Sequence, residues 1–186
     1  MIRELRADLR RYREAEGSVR NVVTNPALWC VACYRLGRWV YGEDPPRLAA
    51  PLARAAYLAS SAALGLLLEM YIDPQARIGE GLYIGHVGGV HIDPDAVIGK
   101  RCDIAHQVTI GTSAGGRPGA PTIGDDVYIG TGAKVVGRIA VGDNARIAAN
   151  SLVMTNVPEN ATAIGVPART MRAPAPGAEP RREEAK

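Results

Sequence analysis

From Ile72 onward a branched aliphatic residue returns every six positions, commonly followed by glycine or another small residue. The first block is Ile72, Ile78 and Ile84; after a slip of two residues come Ile92, Ile98, Ile104 and Ile110. Beyond the segment TSAGGRPGAPT the count resumes at Ile123, Ile129, Val135, Val141, Ile147 and Val153. A period of six matches neither the 3.6-residue turn of a helix nor the two-residue alternation of an exposed strand.

That period is the signature of a β-helix built from hexapeptide repeats. Each hexad makes one short flat face, its aliphatic residue points inward, and the small residue after it turns the corner. Stacked coils bury a continuous aliphatic column, with neighbouring strands about 4.8 Å apart. The absence of Phe agrees, because a narrow prism accepts Ile and Val more readily than rings.

Residues 1–70 follow a helical pattern instead. IRELRADLRRYREAE places Ile2, Leu5 and Leu9 on one stripe among i,i+4 charge pairs. NPALWCVACYRLGRWVYG opens on an Asn-Pro entry signal and closes at Gly42. After the break EDPPR, Ala49–Glu69 reads as a third helix, largely buried; its apolar run Ala55–Leu68 falls short of the roughly 20 residues of a bilayer span. The expected organisation is a helical region 1–70, a β-helix domain 71–171 with a protruding loop 112–122, and a disordered Pro-, Ala- and charge-rich tail 172–186.

Composition narrows the function classes. A net charge of +3, with basic and acidic residues intermixed, argues against nucleic acid as a partner. Cys30, Cys33 and Cys102 leave one thiol unpaired, as in a reduced, cytoplasmic protein. The C-x-x-C of CVAC has no second pair and lies in a helix-like segment, so packing is the expected role. The N-terminus lacks the apolar region of a signal peptide, and no stable membrane insertion is expected.

The chemistry gathers on histidine. His86 stands two residues after the inward Ile84, and His106 two after the inward Ile104. The two isoleucines are one coil plus the slip apart, so both imidazoles fall on the same face, about 5 Å from each other. Counted the same way, Asp125 falls two after Ile123, which predicts a ladder His86–His106–Asp125. His91 lies inside the slip and is expected to be structural or solvent-facing.

The segments IDPQARIGEGLYIGHVGG, VTIG, IGDDVYIGTGAKVVG, VGDNARIAANSLV and GVPAR resemble the left-handed β-helix acyltransferases, and within them the serine acetyltransferase family. The resemblance covers about residues 70–171. It implies a mainly β fold, a left-handed parallel β-helix of hexapeptide repeats behind a small α-helical N-terminal region. It also implies a homotrimer, with pairing of two trimers left open, and acetyl-CoA as co-substrate in the groove between subunits. The reaction implied is O-acetyl transfer to a hydroxyl, L-serine in the family, with His86 matching the catalytic histidine and His106 as its companion. A neutral imidazole takes the hydroxyl proton during attack on the thioester and returns it to the leaving thiolate. Gly111, Thr131, Ala149 and Arg169 match positions where the family meets CoA, and no metal is expected.

The acceptor side departs from the pattern. Tyr71 occupies the position of the carboxylate that partners the histidine, and Gly85 that of the Asp just before it. The Arg-His pair of the long loop falls on Gly119 and Ala120, with Arg117 the only nearby basic residue. These losses bear on how serine is held. They leave open a second acceptor, a sugar or polysaccharide precursor. A remote alternative is a metal-dependent enzyme resembling γ-class carbonic anhydrase, in which His86, His91 and His106 ligate zinc. The partner of His86 stays open among Glu69, Tyr71 and Asp73.

Overall fold

The computed structural model describes residues 1–42, 49–113 and 119–172. Four helices come first: α1 (Ile2–Glu16), α2 (Val19–Thr24), α3 (Pro26–Gly42) and α4 (Ala50–Leu68). Short strands follow from Met70 and close three parallel sheets around one core. Sheet A stacks β1 (Met70–Ile72), β4 (Val90–Ile92), β7 (Thr109–Gly111), β10 (Lys134–Val136) and β13 (Leu152–Val153). Sheet B stacks β2 (Arg77–Ile78), β5 (Val97–Ile98), β8 (Thr122–Ile123) and β11 (Ala140–Val141). Sheet C stacks β3 (Tyr83–Ile84), β6 (Asp103–Ile104), β9 (Tyr128–Ile129), β12 (Arg146–Ile147) and β14 (Ala161–Ile164), closed by antiparallel β15 (Arg169–Arg172).

The chain visits A, B and C in turn, which is the parallel β-helix expected from the six-residue period. Of the aliphatic series only Ile72 is not fully buried. Each buried Ile or Val contributes roughly 1.5–3 kcal/mol by leaving water. Glycine follows many of them because the coils stack closely: a Cβ on Gly79 would stand 2.7 Å from the carbonyl carbon of Gly99. The two-residue slip is absorbed by Gly88 and Gly89 at φ 106° and 66°, a region in which L side chains are strained.

A β-helix has an open first coil, whose unpaired backbone groups must find partners. Here α1 and α3 supply them. The Tyr34 hydroxyl donates to the Ala76 carbonyl at 2.8 Å and accepts from the Ile78 N–H at 3.2 Å. Arg35 donates to the carbonyls of Ile78 (2.7 Å) and Gly79 (2.6 Å) while paired to Asp8. Asp8 accepts from the N–H groups of Gly81 (2.8 Å) and Leu82 (2.9 Å).

Two helix expectations are corrected. The buried face of α1 carries Asp8 and Tyr12, whereas Ile2 and Leu9 are exposed. The rim of the coil wants hydrogen-bonding groups, so a polar stripe wins over the apolar one. Helix α4 is mostly solvent-facing, with Leu52 at 77 %, Leu66 at 82 % and Leu67 at 76 % exposure. It packs along α3 and β1 through a narrow face, with Tyr57 against Gly37 of α3 and Gly65 against Tyr71 of β1. At 19 residues and a mean hydropathy of 1.3 it is long and apolar enough, by length and composition, to cross a bilayer, which the shorter apolar core had not suggested. Residues 114–118 of the loop 112–122, with Arg117, and the tail after 172 lie outside the described residues.

Candidate active site

The strand register aligns Ile84 with Ile104, Ile104 with Ile129, Ile129 with Ile147, and Ile147 with Ala163. Two residues after each, at the corner leading from sheet C to sheet A, come His86, His106, Thr131, Ala149 and Gly165. The two histidine rings are edge to face, 5.9 Å between centroids and 70° apart. Below them Gly132 N–H donates to the His106 carbonyl at 3.0 Å, and Asn150 N–H to that of Thr131 at 2.8 Å. The corner therefore carries two imidazoles followed by a shelf of small residues.

Asp125 is not on this ladder. Ile123 aligns with Ile98 on sheet B, so Asp125 stacks between Lys100 and Asp143. Its carboxylate accepts from Lys100 N–H at 2.7 Å. The segment between Ile110 and Ile123 is absorbed within one step from sheet A to sheet B, so a count by residues overshoots one face.

His91 lies on sheet A, exposed, its ring tilted against Tyr71 with centroids 6.0 Å apart. It does not join His86 and His106. Among the described residues no three His, Cys, Asp or Glu side chains of one chain are grouped to hold a metal ion. Tyr71 shares sheet A with His91, and Asp73, just after β1, accepts from Gln75 N–H at 2.8 Å. Glu69 caps the end of α4. None of the three candidate partners is placed beside His86.

A carboxylate from α1, Glu16, which the sequence reading had not singled out, lines the same cleft as His86. A cleft of about 370 Å³ is lined by Glu16, Asn21, Thr24, Asn25, Pro26, Gly85, His86 and Val87. Glu16 Oε1 accepts from Asn25 Nδ2 at 2.8 Å and from the Tyr83 hydroxyl at 3.1 Å. Burial, and then the neighbouring Glu16 carboxylate, push the Tyr83 phenol above its ordinary pKa, so it stays a donor. A signal was available: Asp8, Tyr12 and Glu16 recur at four-residue spacing, one polar stripe of α1.

A larger cleft of about 420 Å³ between α3, α4 and sheet A holds Tyr71 and His91, but not His86. The smaller one is the better candidate because it contains the imidazole. Gly111 ends β7 on sheet A, a face away from the histidine corner. Arg169 is exposed and aligned with Ile164, at the far end of the same corner. Cys30 and Cys102 are buried, and burial raises their thiol pKa to about 11 and about 12. That suits packing rather than redox chemistry.

The parallel β-helix is that of the hexapeptide-repeat proteins, and residues 120–154 match the family "Bacterial transferase hexapeptide (six repeats)". A serine acetyltransferase of Synechococcus elongatus is 35 % identical over 180 residues, covering 92 % of this chain and 69 % of the relative. Soybean serine acetyltransferase complexed with serine superposes with a TM-score of 0.75 at 33 % identity, covering 90 % of this chain and 68 % of that one. A serine acetyltransferase in complex with CoA gives 0.76 at 28 %, covering 91 % and 69 %. The chain belongs to the serine acetyltransferase family. None of these three is named for a saccharide acceptor.

Proposed function

We propose that this chain transfers the acetyl group of acetyl-CoA to the hydroxyl of L-serine, with His86 as general base. The observation that carries the reading is the placement of His86 in a cleft with one carboxylate, Glu16, beside a corner of small residues. The hydroxyl gives its proton to His86 as its oxygen attacks the thioester carbonyl. The carbon–sulfur bond then breaks, and the proton passes from His86 to the thiolate.

Glu16 suits the ammonium of serine, since a held carboxylate is an acceptor for a cationic donor. Thr131, Ala149 and Gly165 leave a low shelf along which an extended pantetheine arm fits, and Arg169 at its end suits a phosphate. Gly111, on a different face, would meet the same ligand only from a neighbouring copy. The reading accordingly takes the chain as a homotrimer with its groove between subunits, acting in the cytoplasm, and with Arg117 of the long loop near the acceptor.

The test is CoA release from acetyl-CoA with L-serine and, separately, with a panel of sugars. Serine-dependent turnover that falls at least a thousandfold in His86→Ala is expected, about the upper end of general-base effects. Turnover with a sugar but none with serine would overturn the acceptor. A particle mass other than a multiple of three times 19.7 kDa would overturn the trimer.

A further inference from the structure

His86 needs a partner on the ring nitrogen that faces away from the acceptor. To receive a proton at one nitrogen, the neutral imidazole must carry its N–H on the other, and the hydrogen bond made there selects that tautomer. Of the carboxylates near in sequence, Glu69 ends α4 and Asp73 follows strand β1 of sheet A, and Glu16 is already held by Asn25 and Tyr83. The side chain one rung along is His106. Its ring centroid is 5.9 Å from that of His86, somewhat beyond the roughly 5.3 Å of a linear ring-to-ring N–H···N bond of about 3 Å, so the two imidazoles are neighbours that are not hydrogen-bonded in this structure. Its Nδ1 is buried and has no hydrogen-bond partner among the described residues. A buried nitrogen left in that state costs on the order of 1–3 kcal/mol, so it is poised to take a donor.

We propose that His106 is the positioning residue for His86: its neutral Nδ1 accepts the N–H of His86 and holds it in the tautomer whose other nitrogen faces the acceptor hydroxyl. This rests on His86 being the base, as in the function proposed above. His106 itself gains and loses no proton. When His86 takes the hydroxyl proton, the N–H···N bond to His106 persists and stabilises the imidazolium. It is still in place when the proton moves to sulfur. A second imidazole thus stands where a carboxylate would otherwise orient the base. The backbone fixes it there: His106 O accepts from Gly132 N–H at 3.0 Å, and Gln107 N–H donates to Gly88 O at 2.7 Å, tying the rung to the slip just after His86.

The experiment compares His106→Gln, His106→Ala and His106→Phe in the full chain. Gln keeps an acceptor, Ala leaves a gap, and Phe keeps the ring without the nitrogen. With L-serine and acetyl-CoA, kcat is expected to fall about 30- to 100-fold in Ala and Phe and less than tenfold in Gln, with both KM values within about twofold. A Phe variant as active as wild type, or a loss confined to KM, would overturn the proposal.

A second readout does not depend on the acceptor. Nitrogen-15 spectra at a pH of about 8.5, above the ordinary imidazole range, report the tautomer of each of the three histidines. A single His86 tautomer in wild type and Gln that becomes mixed in Ala and Phe is expected. An unchanged His86 tautomer in a folded Ala variant would overturn the role of His106. Absent serine turnover with the tautomer effect intact would overturn only the choice of substrate.

Discussion

Tyr12 and Ile84 exchange two hydrogen bonds: the phenol donates to the Ile84 carbonyl at 3.0 Å and accepts from its N–H at 3.2 Å. A side chain of α1 thereby takes the place of a missing strand on the open edge of sheet C, two residues before His86. Its ring also packs edge to face on Tyr83 at 4.8 Å. Tyr12→Phe keeps that packing and removes both bonds, leaving a buried N–H and carbonyl unpaired. A loss of about 1–3 kcal/mol in urea unfolding is expected. Acetyl transfer should fall as well, because the rung bearing His86 is no longer pinned to α1. An unchanged unfolding midpoint would show that the edge is satisfied by water.

Asp8 makes the stronger tie. Its carboxylate, 0 % exposed, takes two bonds from Arg35 and two from backbone N–H groups. Removing it in Asp8→Ala strands a buried guanidinium and two amides, and breaking such a pair typically costs about 3–5 kcal/mol. The helical cap should then detach before the coils melt, seen as a loss of helical circular dichroism at a lower denaturant concentration. A double variant, Asp8→Leu with Arg35→Met, should recover part of the loss, since no charge is left unpaired. Equal stability of single and double variants would contradict this account of the rim.

What was legible in the sequence follows from which forces leave a period. The inward Ile and Val positions recur every six residues because every coil repeats the same packing problem, so the fold and the His86–His106 pair could be read directly. The stripe Asp8, Tyr12, Glu16 could not be valued the same way. Its worth lies in backbone groups far along the chain, at Gly81, Leu82 and Ile84, which local hydrophobicity does not encode. Asp125 was misplaced because an insertion inside one face shifts residue counts without adding a coil. The apolar sequence of α4 implied burial, yet only a narrow face of it meets α3 and β1.

The thiols give a pH prediction. Burial raises Cys30 from 9.0 to about 11 and Cys102 from 9.0 to about 12. In the unfolded chain both ionise around 9, so their contribution to stability is complete below that pH. It is lost as the pH rises toward 11 and 12, because the unfolded state releases the proton first. Buried Tyr12 and Tyr34 are shifted upward by desolvation and act in the same direction. Urea midpoints should therefore be level between pH 7 and 8.5 and fall by pH 10.5, and iodoacetamide at pH 8 should label Cys30 and Cys102 only in denaturant. Rapid labelling of Cys30 in the native protein would refute its packing role.

Glu16 carries the sharpest functional prediction, because it is the one carboxylate lining the cleft that holds His86. Glu16→Gln keeps a side-chain oxygen for Asn25 and Tyr83, so the cleft should keep its shape. What it removes is the negative charge facing an incoming ammonium. A hydrogen bond to a charged group is worth about 1.5–3 kcal/mol, which corresponds to roughly a ten- to hundredfold change in an equilibrium constant. The KM for serine should rise by that factor while the KM for acetyl-CoA, bound along the Thr131–Ala149 shelf, stays within about twofold. The same substitution should leave turnover of a neutral hydroxyl acceptor unaffected, if any such acceptor is used. An equal rise in both KM values would instead mean that Glu16 shapes the cleft rather than reading the charge of the acceptor.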